Sequence, residues 1–128
     1  MGRVQHNDTI SVLHVDDQPT FGNMVESYLE KLNDDIVVHT ETDPRAAIDH
    51  LESGTVDCIV SDYEMPELDG LQFLRAVRET YPNLPFILFT GRGSEEVATE
   101  AIDRGVSFYL QKDGNESYEL LANRVRHA

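Results

Sequence analysis

Asp16-Asp17, Asp62, Thr90 and Lys112 carry the groups in this chain whose types and spacing could do chemistry together. Converging carboxylates repel one another, two of them ~4 Å apart by roughly 4 kcal/mol at an effective dielectric near 20. Three of them together need a cation or protons. A hard oxygen site with few protein ligands favours Mg²⁺, which keeps several waters and accepts a phosphate oxygen. Beside such an ion one carboxylate can act as a nucleophile. A Thr90 hydroxyl can donate a hydrogen bond to a phosphoryl oxygen, and a Lys112 ammonium is a point charge suited to the same group. Taken singly, each residue has a plainer reading. An aspartate after a strand serves turns and helix caps, Thr90 suits a strand, and Lys112 suits a surface. The chemical reading therefore depends on elements that deliver all of them to one place.

The hydrophobic pattern supplies those elements. Ile10–Val15, Ile36–Thr40, Val56–Ser61, Phe86–Thr90 and Val106–Leu110 are short runs rich in β-branched or aromatic residues. Several are continuously apolar, as strands buried on both faces of a parallel sheet are. Helical spacing fills the intervals. Phe21, Met24, Val25, Tyr28, Leu29 and Leu32 form one stripe. Asp43-Pro44 opens a second helix that Gly54 ends, and Leu71 to Tyr81 forms a third that Pro82 stops. Ser94 caps a fourth that ends at Gly105, and a last helix begins near Asn115 or Ser117 and runs to Val125. Alternating strands and helices imply an α/β domain with a doubly wound, parallel five-stranded sheet and helices on both faces. Ligands of such sheets bind beyond the carboxyl ends of the strands. Asp16-Asp17, Asp62, Thr90 and Lys112 all fall at that edge.

Composition bounds the rest. The 128 residues suffice for one core. A lone cysteine, Cys58, in an apolar run reads as a small buried hydrophobe. The polar first eight residues carry no signal-peptide core, and no apolar run is long enough to span a membrane, so the expectation is a cytoplasmic protein without membrane contact. A net charge of −14 opposes direct nucleic-acid binding. It also suggests adaptation to high salt, where a Debye length of ~3 Å near 1 M removes the self-repulsion.

The run Asp62-Tyr63-Glu64-Met65-Pro66-Glu67-Leu68-Asp69-Gly70, with Val15-Asp16-Asp17 before it and Leu88-Phe89-Thr90 and Tyr109-Leu110-Gln111-Lys112 after it, resembles the receiver domains of two-component signalling. The resemblance covers Ile10 to Val125. It implies a flavodoxin-like (βα)5 fold of strand order 2-1-3-4-5 over residues 9–128, behind a polar tail at 1–8. It implies that Asp62 is the phosphoacceptor. Mg²⁺, with Mn²⁺ as a substitute, is held by Asp17, Asp62 and the Glu64 backbone carbonyl, with Asp16 acting through water. Thr90 and Lys112 contact the phosphoryl group, and Tyr109 is the aromatic that turns when Thr90 moves. Met65-Pro66 and Asp69-Gly70 shape the adjoining loop. The implied partners are a histidine kinase or phosphotransfer protein, and an effector or second copy at the face formed by the fourth helix, fifth strand and fifth helix. The domain is then a signalling phosphoacceptor rather than a turnover enzyme.

Three features stand out against the family pattern. Asp113-Gly114 follows Lys112 where the family has a proline joined by a cis bond, which places a negative charge near the lysine and predicts a trans link, since a non-proline cis bond costs ~2.5–4 kcal/mol. Gly91 follows Thr90 in place of a residue such as Ala, predicting a mobile Gly91-Arg92-Gly93 loop. Glu64 and Arg92 occupy the positions that tune phosphoryl lifetime. Two rival classes are disfavoured by residues. A haloacid-dehalogenase-like phosphatase needs a spaced Asp-x-Asp-x-Thr rather than Asp16-Asp17. A flavin- or nucleotide-binding flavodoxin relative needs a Gly-rich loop where Asp16-Asp17-Gln18-Pro19-Thr20 stands. No effector segment follows Ala128, which fits a stand-alone receiver and a piece of a longer regulator alike.

Overall fold

A computed structural model describes residues 9–66, 68–91, 95–112 and 114–128. The polar tail, the Ser94 cap, Arg92 and the Lys112–Asp113 link lie outside the described residues. Five strands alternate with five helices. They are β1 Ile10–Val15, α1 Pro19–Leu32, β2 Ile36–Glu41, α2 Pro44–Ser53, β3 Cys58–Ser61, α3 Gly70–Thr80, β4 Phe86–Thr90, α4 Glu95–Asp103, β5 Phe108–Gln111 and α5 Gly114–Arg126. The strands pair in parallel in the order β2-β1-β3-β4-β5. None of the described helices is long and apolar enough to cross a membrane.

Local chemistry explains the helix starts. Pro44 at the first turn of α2 needs no hydrogen-bond acceptor, and the Asp43 carboxylate accepts from the Arg45 N–H at 3.0 Å. Asp69 and Gln72 form a reciprocal capping box at α3, with bonds of 2.8 and 2.9 Å. At the end of α4, Gly105 adopts φ 94°, which an L side chain resists. Its N–H donates to the Ile102 carbonyl at 3.1 Å and the Val106 N–H to the Ala101 carbonyl at 3.0 Å. That is a Schellman closure.

This closure also corrects a boundary. The pattern predicts a strand from Val106, yet β5 starts at Phe108, because the Val106 N–H is consumed in capping α4. β3 likewise starts at Cys58 rather than Val56. Ahead of it, the Asp57 carboxylate accepts from the Ser11 N–H at 2.8 Å.

Both faces of the sheet are buried. One core sets Val12, Val38, Val60 and Phe89 against Val25 and Leu29 of α1 and Leu121 of α5. The other sets Leu13, Ile59 and Leu88 against Ala47 of α2, Leu74 and Val77 of α3 and Ala101 of α4. Cys58 is 1% exposed, and burial pushes its thiol up to about 12, as a small core hydrophobe requires. The register then aligns the strand ends. Val15 pairs with Ser61, Ser61 with Leu88, and Thr90 with Gln111. Asp16 and Asp62 therefore leave adjacent strands side by side, with Thr90 and Lys112 along the same edge.

Candidate functional site

Backbone bonds continue the sheet one residue past its ends. The Asp62 N–H donates to the Val15 carbonyl at 2.9 Å, and the Lys112 N–H to the Thr90 carbonyl at 2.9 Å. The side chains that follow converge. Asp16, Asp17 and Asp62 each present a carboxylate oxygen within 4.8 Å of the others. Asp16 is completely buried and Asp62 is 8% exposed.

The carboxylates are held individually. Asp16 Oδ1 accepts from the Gln18 N–H at 2.9 Å, and its Oδ2 accepts from Lys112 Nζ at 2.9 Å. Asp62 Oδ1 accepts from the Tyr63 N–H at 2.8 Å. Asp17 Oδ1 is buried with no hydrogen-bond partner. Burial raises the Asp62 carboxyl above its ordinary range. The nearby Lys112 charge opposes that rise and Asp16 adds to it, while hydrogen bonds from Thr90 and the Tyr63 N–H pull it back. The lysine thus stands against Asp16, and Thr90 against Asp62. Lys112 Nζ also lies 5.7 Å from the centre of the Phe89 ring.

Other expected residues are less closely engaged. The Glu64 side chain is exposed. Tyr109 packs against the core on the α2–α4 side, its hydroxyl buried without a hydrogen-bond partner and its pKa raised by burial. Gly91 leaves open space, since an added Cβ would meet only Lys112 Cδ at 4.0 Å.

His14 escapes the sequence reading. It is 1% exposed, and its Nε2 stands 4.0 Å from Asp16 Oδ2. Burial pulls its pKa down to about 4, with Asp16 raising it and Lys112 lowering it further. Strand alternation carries the signal that could have found it, since residues 14 and 16 share a face.

The donor set fits a hard divalent cation. Three carboxylates gather around a point that Lys112 neutralises only in part, and a buried Asp17 oxygen has no donor. An α/β sheet with an acidic cluster and a lysine beyond its strand ends can offer sites for a cation and for a phosphoryl oxygen side by side. The model of the response regulator receiver domain matches residues 12–124, and the chain belongs to that family. Receiver domains are the phosphoacceptor modules of two-component signalling.

Relatives agree with this placement. Over 105 residues the chain is 33% identical to the cyclic di-GMP phosphodiesterase response regulator RpfG of Xanthomonas campestris, covering 80% of this chain and 28% of that protein. It is 32% identical over 120 residues to the response regulator Rre1 of Synechocystis, covering 91% of this chain and 52% of the other. The chain thus spans about half or less of these relatives' length. Among solved structures, the chemotaxis response regulator CheY4 of Vibrio cholerae superposes with TM-score 0.81 at 31% identity, over 91% of this chain and 98% of that one. The receiver domain of the Francisella response regulator 1452 gives 0.83 at 28%, over 93% and 95%.

Proposed function

We propose that Asp62 is the phosphoacceptor of a phosphorelay, charged by a partner histidine kinase or phosphotransfer protein in the cytoplasm. The observation that supports this most is the meeting of Asp16, Asp17 and Asp62 within 4.8 Å, with Thr90 and Lys112 on the same edge. Asp17, Asp62 and the Glu64 carbonyl would hold Mg²⁺ or Mn²⁺ directly, and Asp16 through water. The bound ion supplies positive charge that offsets both the acids and the phosphoryl oxygens.

The chain's own residues do the rest. The Tyr63 N–H fixes the plane of the Asp62 carboxylate. Poor solvation keeps that carboxylate basic, and so nucleophilic. An Asp62 oxygen attacks the phosphorus of a phosphohistidine. The P–N bond breaks, the imidazole leaves with the electron pair and takes up a proton, and an acyl phosphate remains on Asp62. Lys112 turns from Asp16 to a phosphoryl oxygen, and Thr90 donates to another. Water later attacks the phosphorus and restores the carboxylate, releasing inorganic phosphate.

Tyr109 follows Thr90. Its buried hydroxyl lacks a partner, so a second position that satisfied it would recover the cost of the unmet hydrogen bond. The α4–β5–α5 face then changes its affinity for an effector or a second copy. Ile102 of α4 and Leu120 of α5 are exposed apolar side chains of those helices.

Incubation with acetyl phosphate and Mg²⁺ tests the assignment. Intact-mass spectrometry should show one base-labile phosphoryl group on the wild-type protein and none on Asp62→Asn. Undiminished labelling of that variant would overturn it.

A further inference from the structure

His14 is a polar residue in the middle of a strand whose other inner members, Val12, Leu13 and Val15, are aliphatic and fully buried. A buried imidazole is costly unless its nitrogens are used. Its Nε2 faces Asp16 Oδ2 at 4.0 Å, beyond hydrogen-bond length, and that oxygen already accepts from Lys112 at 2.9 Å. Its Nδ1 is buried without a hydrogen-bond partner. Thr40 stands opposite His14 in the β1–β2 register, on the same face, and its Oγ1 is also buried without a partner.

We infer that His14, backed by Thr40, is a positioning residue for Asp16, taking over its Oδ2 oxygen when Lys112 leaves for the phosphoryl group. The inference rests on the proposed phosphoacceptor reading and adds to it. When Lys112 turns away, Oδ2 of a completely buried carboxylate loses its close donor, and an unmet buried charge is expensive. A ring rotation of about an ångström brings the Nε2 proton within reach. A water shared between the Thr40 hydroxyl and Nδ1 would donate to Nδ1, and this would fix the tautomer that carries the proton on Nε2. Asp16 thus keeps its orientation through the reaction while the lysine is elsewhere.

Nuclear magnetic resonance of the His14 ring in the full chain tests this, with beryllofluoride as the phosphoryl probe. The expected result is an Nε2–H tautomer throughout. On adding beryllofluoride with Mg²⁺, the Nε2 proton should move downfield and exchange slowly with water, and Mg²⁺ alone should not cause this. His14→Phe keeps the volume but removes the donor, and should weaken beryllofluoride binding by about tenfold at unchanged Mg²⁺ affinity. His14→Gln, whose amide reaches as far as Nε2, should restore it. An Nε2 proton indifferent to beryllofluoride, or a folded His14→Phe protein with wild-type beryllofluoride affinity, would overturn the role. Should the Phe variant fail to fold, the wild-type spectrum still decides. Wild-type protein that binds Mg²⁺ but no beryllofluoride would instead overturn the phosphoacceptor reading, and the role of His14 with it.

Discussion

Replacing Lys112 with Met asks what holds the acidic end of the sheet together before a phosphoryl donor arrives. Lys112 Nζ lies 2.9 Å from Asp16 Oδ2, and the two side chains are 9% and 0% exposed. At an effective dielectric near 20 their attraction is ~6 kcal/mol, and desolvation of both groups offsets much of it. Removing one member of such a pair leaves a buried charge unmatched and costs about 3–5 kcal/mol. Met preserves the stem over Phe89 and removes only the charge. In EDTA, Lys112→Met should therefore lose about 3 kcal/mol, a fall of roughly 1–2 M in the urea midpoint followed by circular dichroism. In millimolar Mg²⁺ the loss should shrink below ~1 kcal/mol. The cation then sits among the carboxylates without the lysine repelling it, and binding to the folded state alone stabilises that state. Mg²⁺ should bind the variant more tightly than the wild type, and labelling of Asp62 should fall. Equal losses with and without Mg²⁺ would mean that Lys112 acts through packing. A loss under ~1 kcal/mol in EDTA would mean that the ion pair contributes no net stability.

Two further substitutions separate the site from its scaffold. A Cβ at Gly70 would overlap the Asp62 carbonyl oxygen and lie 2.8 Å from Leu88 Cδ1 and 2.9 Å from Tyr63 Cα. Gly70→Ala should therefore cost roughly 3 kcal/mol in a thermal or urea melt and shift the Asp62 and Tyr63 amide resonances, and wild-type stability would refute the close approach. Arg78 donates to the carbonyls of Gly105, Tyr81 and Leu84 at 2.7–3.1 Å, tying α3 to the turns before β4 and β5. Arg78→Met should cost about 2 kcal/mol, a figure reduced for partial exposure, and speed amide exchange at Gly105 and Val106 while leaving Asp62 labelling intact.

How far the sequence could be read follows from the range of each interaction. The candidate carboxylates were legible because strand periodicity is local, and it sets where β1 and β3 run out into Asp16-Asp17 and Asp62. The starts of β3 and β5 were not, since Val56 and Val106 have strand-like side chains. The Val106 backbone, however, serves α4, and the residue after Val56 bridges to β1. The choice of Asp16 as partner for Lys112 spans 96 residues and depends on how two loops settle above the sheet. His14 hid because one imidazole in an apolar strand has the same spacing as any core residue. Strand alternation puts it on the face of Asp16, and its unmatched nitrogen and its distance to Asp16 then mark it out.

The division of labour in the site follows from the sheet. Asp16 and Asp62 continue β1 and β3, which have strand neighbours on both sides and lie between the two cores. Their positions inherit the rigidity of a close-packed interior. Lys112 continues β5, an edge strand whose side chains are half-buried or exposed. Less packing constrains it, so a phosphoryl group that drew Lys112 away from Asp16, as the proposed function requires, would disturb the edge rather than the centre. The acids would then hold their geometry while the lysine moved. On the proposed function, the free energy of phosphorylation would be directed toward β5 and its neighbouring helices, on the side where Tyr109 sits with an unmet hydrogen bond.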